Sequence, residues 1–236
     1  MNAIKRNIPN FITSLNLLFG CISIVLVFQN RLSEASWMIA FAAIADFFDG
    51  MAARLLKVHS PIGKELDSLA DVVSFGVAPG MIIYQLIGTS PFNWIGLIVP
   101  VSAAIRLAKF NVDTRQTFYF IGLPSPASGL LIAAFPLILQ HDSYWHSIYL
   151  SNITFTVWFF AGLAVVCSGM MVSEVKLFSL KMKNMSWGDN KTRYLFLILS
   201  LASFFILGFT SVPVIMLLYV ILSLLSKKSF DSPPAA

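Results

Sequence analysis

Four aspartates stand at positions 46, 49, 67 and 71. They lie in the string Asp46-Phe-Phe-Asp49-Gly50-Met-Ala-Ala53-Arg54 and, eight residues further on, Gly63-Lys-Glu-Leu-Asp67-Ser-Leu-Ala-Asp71. Asp46 and Asp49 are spaced i, i+3, and Asp67 and Asp71 are spaced i, i+4. In helices, each pair shares one face. Four carboxylates brought together repel one another unless a cation sits between them. An all-oxygen donor set suits Mg²⁺, Mn²⁺ or Ca²⁺ and disfavours zinc, which takes His and Cys. Two divalent ions about 4 Å apart would clamp the attacking and leaving oxygens of a phosphoryl or phosphatidyl transfer. A purely structural account would let Asp67 cap a helix and Asp46 pair with Arg54. That leaves Asp49 and Asp71 unexplained.

The elements that must carry these acids are set by hydropathy. Of the 236 residues, 57% are hydrophobic and only 11% charged, against about 25% charged in a soluble domain. Mean hydropathy is +0.79. Apolar runs long enough to cross a bilayer recur along the chain. The chain therefore reads as an all-α integral membrane protein, a polytopic helix bundle forming one membrane domain over 1–236. We place eight transmembrane helices at 11–29, 36–56, 68–88, 94–110, 121–140, 153–172, 194–209 and 211–226. The last two come from a single apolar stretch, divided by a turn at Gly208, Thr210, Ser211 and Pro213. One long tilted helix is the alternative there. The start of the chain resembles a signal-peptide n-region. The first run is read as a retained helix, since it contains Asn16 and no small-x-small cleavage pattern follows it.

Charge supports the eight-helix count. With eight crossings, Lys5, Arg6, Arg54, Lys57, Lys64, Arg106, Lys109, Arg115, Lys176, Lys181, Lys183, Lys191, Arg193, Lys227 and Lys228 share one side, and Arg31 stands alone on the other. By the positive-inside rule both termini and the aspartates face the cytoplasm. The net charge of +5 is thus a matter of topology, and no nucleic-acid partner is implied. Loop 173–193 reads equally as an interfacial amphipathic segment or a solvated basic loop. Cys21 and Cys167 lie in apolar runs and form no metal or disulfide pattern. His59, His141 and His146 show no ligand spacing. Gly50, with no Cβ, admits either a neighbouring helix or a ligand phosphate.

The string D-x2-D-G-x2-A-R-x8-G-x3-D-x3-D resembles the signature of the CDP-alcohol phosphatidyltransferase family. It is matched at Asp46, Asp49, Gly50, Ala53, Arg54, Gly63, Asp67 and Asp71. The resemblance implies a six-helix membrane core, about 9–172 here, with extra C-terminal helices at about 194–226. It implies transfer of a phosphatidyl-type group from a CDP-linked lipid to an alcohol, with release of CMP. Asp46, Asp49, Asp67 and Asp71 would hold two divalent ions, Mg²⁺ or Mn²⁺, and Asp71 would also be the general base. Asp46, Gly50, Ala53, Arg54 and Gly63 would line the CDP-lipid site. The N-terminal Pro9-Asn10-x-x-Thr13-x-x-Asn16 would add Thr13 and Asn16 to it. Homodimerisation is a further implication of the resemblance. The missing targeting peptide and the compact length suggest a prokaryotic inner membrane, and the charge count turns the active site to the cytoplasm.

The acceptor is indicated by other stretches. Ser74-Phe75-Gly76-Val-Ala78-Pro79, Arg106-Leu-Ala-Lys109-Phe110-Asn111 and Gly122-Leu-Pro124-Ser125-Pro126 resemble the phosphatidylserine synthase branch of that family. This implies CDP-diacylglycerol and L-serine as substrates. Ser74, Arg106, Lys109 and Asn111 are candidates for binding serine, whose carboxylate calls for a cation. Arg106 and Lys109 can equally be positive-inside anchors. Lys109 stands where the branch often has Arg, which keeps the charge but not the planar fork. Glycerol 3-phosphate or an inositol compound is the alternative acceptor. A cation-coupled transporter is a more distant reading, which predicts midplane sites and inverted repeats.

Overall fold

A computed structural model of the chain describes residues 3–58, 60–112, 119–178 and 187–225. His59, Arg115, Lys181, Lys183, Lys227 and Lys228 lie outside the described residues. The chain folds as a helix bundle. α1 (Ala3–Phe28) and α2 (Leu32–Leu56) form an antiparallel hairpin, closed by Asn30 at φ 59°. Lys57 caps α2 in the left-handed region, and its amide bonds back to Ala53 and Arg54. This is a usual way to end a helix sharply. Ser60 then caps α3 (Pro61–Val72) by accepting from the Gly63 amide at 3.2 Å, with Pro61 at the first helical position, where a missing N–H costs nothing. The connection is thus shorter than the sequence suggests. Gly63 and Asp67 both lie inside α3, not ahead of it.

α3 runs through a π-turn (Val73–Val77) into α4 (Ala78–Ile87). The resulting 27-residue rod, Pro61–Ile87, is the most enclosed of the long apolar helices. A 3₁₀ segment (Pro91–Leu97) leads into α5 (Ile98–Val112). α6 (Ser125–His141), the short α7 (Ser143–Ser151) and α8 (Ile153–Val172) follow. Small residues let the rod approach its neighbours. A Cβ on Gly76 would stand 3.0 Å from Ala103 Cβ, and one on Gly129 of α6 would stand 3.0 Å from the Phe75 backbone. Gly80 and Gly96 face each other so closely that a Cβ on Gly80 would lie 2.7 Å from the Gly96 carbonyl oxygen. Small residues at such crossings are the usual currency of helix association in membranes.

Two features depart from the sequence reading. The segment assigned to the start of a fifth span, from 121, is not helical. β1 (Tyr119–Ile121) pairs antiparallel with β2 (Lys176–Phe178), so the bundle carries a small ribbon and α6 begins only at Ser125. Pro124 and Pro126 set that start, as N-cap and early-helix residues. The loop at 173–193 is partly β2 and partly the first turns of α9 (Trp187–Leu207).

α9 and α10 (Ser211–Leu225) are separated by a 3₁₀ turn at Gly208–Thr210, with Gly208 at φ 55°. The rings of Phe196 and Tyr219 meet at a tilt, with centroids 5.8 Å apart. In one continuous helix they would be about 35 Å apart at 1.5 Å per residue. The last apolar stretch therefore folds back on itself. Among the described residues, five helical segments are long and apolar enough to cross a membrane, Asn190–Leu225 among them.

Candidate active site

The site is built where α1 crosses the ends of α2 and α3. Asp46, Asp49 and Asp67 each present a carboxylate oxygen, and these oxygens lie within 4.8 Å of one another. At that separation each ionised pair repels by about 3 kcal/mol or more, for an effective dielectric constant of about 20. Asp46 faces the like charges of Asp67 and Asp49. Asp67 Oδ1 is buried with no hydrogen-bond partner among the described residues, a costly arrangement unless something occupies it. Three converging carboxylates, one with an orphaned buried oxygen, are a donor set that fits a hard divalent cation.

Asp71 lies one turn deeper on α3 and is buried. It stands outside the group of three, yet feels the like charges of Asp46 and Asp67 and, less strongly, the opposite charge of Arg106. Its Oδ1 accepts from Asn16 Nδ2 at 3.2 Å. The backbone of Asn16 is held in turn, because its carbonyl accepts from Ser74 Oγ at 2.9 Å. Thr13 occupies the matching place one turn earlier on α1. Its hydroxyl reaches Asp49 Oδ2 at 2.6 Å and Pro9 O at 3.0 Å. Having one proton, it donates to the nearer, charged acceptor. Thr13 and Asn16, i and i+3 on one helix, therefore secure one acid of each pair.

Beside the cluster is a pocket of about 190 Å³, lined by Pro9, Asn10, Thr13, Asp49, Gly50, Ala53, Val58, Ser60, Gly63, Lys64 and Asp67. It gathers Thr13, Asp49, Gly50, Ala53, Gly63 and Asp67 from the expected set. Among the described residues, nothing lies within 4 Å of a Cβ placed on Gly50, so no described helix requires it to be small. Gly63 differs: a Cβ there would meet Asn10 Oδ1 at 2.5 Å. Arg54 is exposed, and its Nε donates to Gly50 O at 3.0 Å; it does not pair with Asp46. Lys64, a topological charge by sequence alone, lines the pocket, and its Nζ donates to Asn111 O at 3.1 Å. Its position directly after Gly63, between the two acidic pairs, was the available signal.

The four acceptor candidates scatter. Ser74 is buried and spent on the Asn16 carbonyl. Lys109 is exposed at the end of α5. Asn111 donates to Ser68 Oγ at 2.9 Å, tying α5 to α3. Arg106 is also buried, its Nη1 donates to Ser125 Oγ at 3.1 Å, and its Nε is buried with no partner among the described residues. Ser125, the partner that holds it, went unassigned in the sequence.

A sequence model of the family described as CDP-alcohol phosphatidyltransferase matches residues 6–166. A CDP-diacylglycerol–serine O-phosphatidyltransferase of Helicobacter pylori is 33% identical over 219 residues, 90% of this chain and 87% of that one. A protein of the same name from Bacillus subtilis is 40% identical over 128 residues, 53% of this chain and 72% of that one. An archaetidylserine synthase of Methanothermobacter thermautotrophicus is 35% identical over 137 residues, covering 55% and 58%. With a family match over most of its length and an acidic cluster built from the matching residues, the chain belongs to the CDP-alcohol phosphatidyltransferase family.

Proposed function

We propose that the protein is a membrane-embedded CDP-diacylglycerol–serine O-phosphatidyltransferase, forming phosphatidylserine and CMP. The observation that carries the chemistry is the convergence of Asp46, Asp49 and Asp67 beside a pocket lined by Gly50, Ala53 and Gly63. Serine as the acceptor rests on the names of the relatives and on the inward-facing Arg106. Transfer to glycerol 3-phosphate or an inositol compound is the second reading.

Asp46, Asp49 and Asp67, with Asp71 as the fourth candidate ligand, would hold divalent metal ions, Mg²⁺ or Mn²⁺. When bound, such ions offset the negative charge of the pyrophosphate and of the departing CMP. Thr13 fixes the Asp49 carboxylate, and Asn16 fixes that of Asp71. The nucleotide end of the lipid lies in the pocket, where Gly50 leaves room for a phosphate and Lys64 offers a positive charge. Arg106, with a free Nε–H, takes the serine carboxylate in a charge-assisted hydrogen bond. Asp71 takes the proton from the serine hydroxyl as that oxygen bonds to the phosphorus bearing the diacylglycerol. The bond from that phosphorus to the oxygen of CMP breaks, and CMP leaves. No covalent enzyme intermediate is needed.

The same reading sets the topology. Adding α2, α6 and the two legs of the C-terminal hairpin to the remaining long apolar rods gives eight crossings. Both termini and the site then lie on the cytoplasmic side of a prokaryotic inner membrane, and the working unit is a homodimer. The deciding experiment supplies purified protein with CDP-diacylglycerol, Mg²⁺ or Mn²⁺ and one alcohol at a time, and measures CMP. Release with serine is expected. Release only with glycerol 3-phosphate would remove the acceptor assignment, and no release with any alcohol would remove the activity. Asp71→Asn should abolish turnover and spare CDP-lipid binding; retained turnover would remove Asp71 as the base.

A further inference from the structure

The matched family segment ends at residue 166, so β2, α9 and α10 lie beyond it. They are nevertheless wired to Arg106. Phe178, the last residue of β2, has both its backbone groups taken by α10. Its carbonyl accepts from Tyr219 Oη at 3.0 Å, and its amide donates to Ser223 Oγ at 3.3 Å. Ser223 closes the unit by donating to the Tyr219 carbonyl at 2.7 Å. The rings of Phe178, Tyr219 and Phe196 pack together, with Phe178 and Tyr219 centroids 5.0 Å apart. α10 thus grips the ribbon where a third strand would otherwise pair.

The grip passes to the site through the ribbon. β2 pairs with β1, and the chain leaves β1 into Gly122. Gly122 sits at φ 74°, where a Cβ would meet Met171 O at 2.5 Å. Its amide donates to Val175 O and that of Leu123 to Met170 O, both at 2.9 Å. Two residues later Ser125 Oγ receives Arg106 Nη1.

We infer that the C-terminal hairpin is part of the acceptor side of the site, and that Tyr219 is a positioning residue: through Phe178 and the β1–β2 ribbon it sets the Gly122–Ser125 turn that orients Arg106. The inference rests on the proposed use of Arg106 for the acceptor's carboxylate. Loss of the Tyr219 hydroxyl leaves the ring packing in place but frees the Phe178 carbonyl. The penalty then falls on acceptor binding, not on the nucleotide pocket or the acid cluster.

The test uses the full chain in lipid nanodiscs, with two readouts. In the CMP-release assay, Tyr219→Phe should raise the KM for serine about tenfold, the worth of one lost buried hydrogen bond, while kcat and the KM for CDP-diacylglycerol change less than about twofold. Ser223→Ala should shift the serine KM the same way, and Ser223→Thr should restore it. In hydrogen–deuterium exchange, which needs no substrate, Tyr219→Phe should speed exchange at Gly122 and Leu123 and leave α1 to α3 unchanged. Unchanged exchange at those amides overturns the inference. So does a uniform fall in kcat with no change in the serine KM, which is the mark of a merely structural hairpin. A wild-type protein that ignores serine refutes the acceptor assignment instead, and the exchange readout still decides the coupling.

Discussion

Asn16 Nδ2 donates to Asp71 Oδ1 at 3.2 Å, joining α1 to α3 across the buried floor of the site. The side-chain oxygen of Asn16 has no partner among the described residues. Its backbone carbonyl is held by Ser74, which a π-turn in the central rod turns toward α1. Single π-turns inside helices recur at functional sites, and here the turn supplies the brace for the residue that aims the proposed base. Asn16→Ala should therefore lower kcat by about 10- to 100-fold with little change in either KM. Steady-state kinetics with both substrates varied checks this. An unchanged kcat would show that Asp71 needs no such aid.

The acid cluster predicts a strict metal requirement. Chelation should abolish CMP release, and Mg²⁺ or Mn²⁺ should restore it. Asp67→Ala, which removes the carboxylate with the orphaned oxygen, should raise the metal concentration needed for half-maximal activity by about tenfold or more. Manganese binding followed by electron paramagnetic resonance gives the same comparison without turnover. Equal binding by wild type and variant would refute the site.

Gly50 and Gly63 line one pocket for different reasons. A Cβ on Gly50 meets nothing, so Gly50→Ala should raise stability by up to about 1 kcal/mol through helix propensity. It should nevertheless weaken CDP-lipid binding, since the added methyl enters the pocket. Gly63→Ala collides with Asn10 and should lower both stability and binding. Thermal unfolding paired with CDP titration separates the two. A destabilised Gly50→Ala would mean that packing governs that position.

Arg106 is enclosed, and Ser125 holds only one of its nitrogens. Arg106→Lys keeps the charge but loses the planar fork. The serine KM should rise about tenfold or more while CDP-diacylglycerol binding is kept. Lys109→Ala, at an exposed position, should leave the serine KM within about twofold. Equal effects of the two would make both of them general membrane anchors.

The crossing of Gly80 and Gly96 tests the bundle itself. Gly96→Ala would drive a methyl into the Gly80 carbonyl, and overpacking of this kind costs about 1–3 kcal/mol. Unfolding in detergent should detect the loss, with serine and CDP-lipid KM values nearly unchanged in whatever fraction remains folded.

The sequence alone determined the kind of protein and the location of its chemistry. Apolar runs of bilayer length leave helices as the affordable fold, because backbone groups in lipid must bond within their own segment. The i, i+3 and i, i+4 spacings put Asp46 with Asp49 and Asp67 with Asp71, because helical periodicity is local. Gly208 and its neighbours marked the last turn for the same reason. Only the tertiary structure decided what meets across helices. It set Asp71 apart from the other three acids, gave Thr13 and Asn16 their partners, and spent Ser74 on the backbone of α1. It also showed that Gly76, Gly80 and Gly129, in or next to the stretches that suggested an acceptor, serve helix contact. The β1–β2 ribbon was hidden because 54 residues separate its two short strands, between Ile121 and Lys176, and neither carries a pattern of its own. Strand pairing is a property of two segments, and no local periodicity reports it.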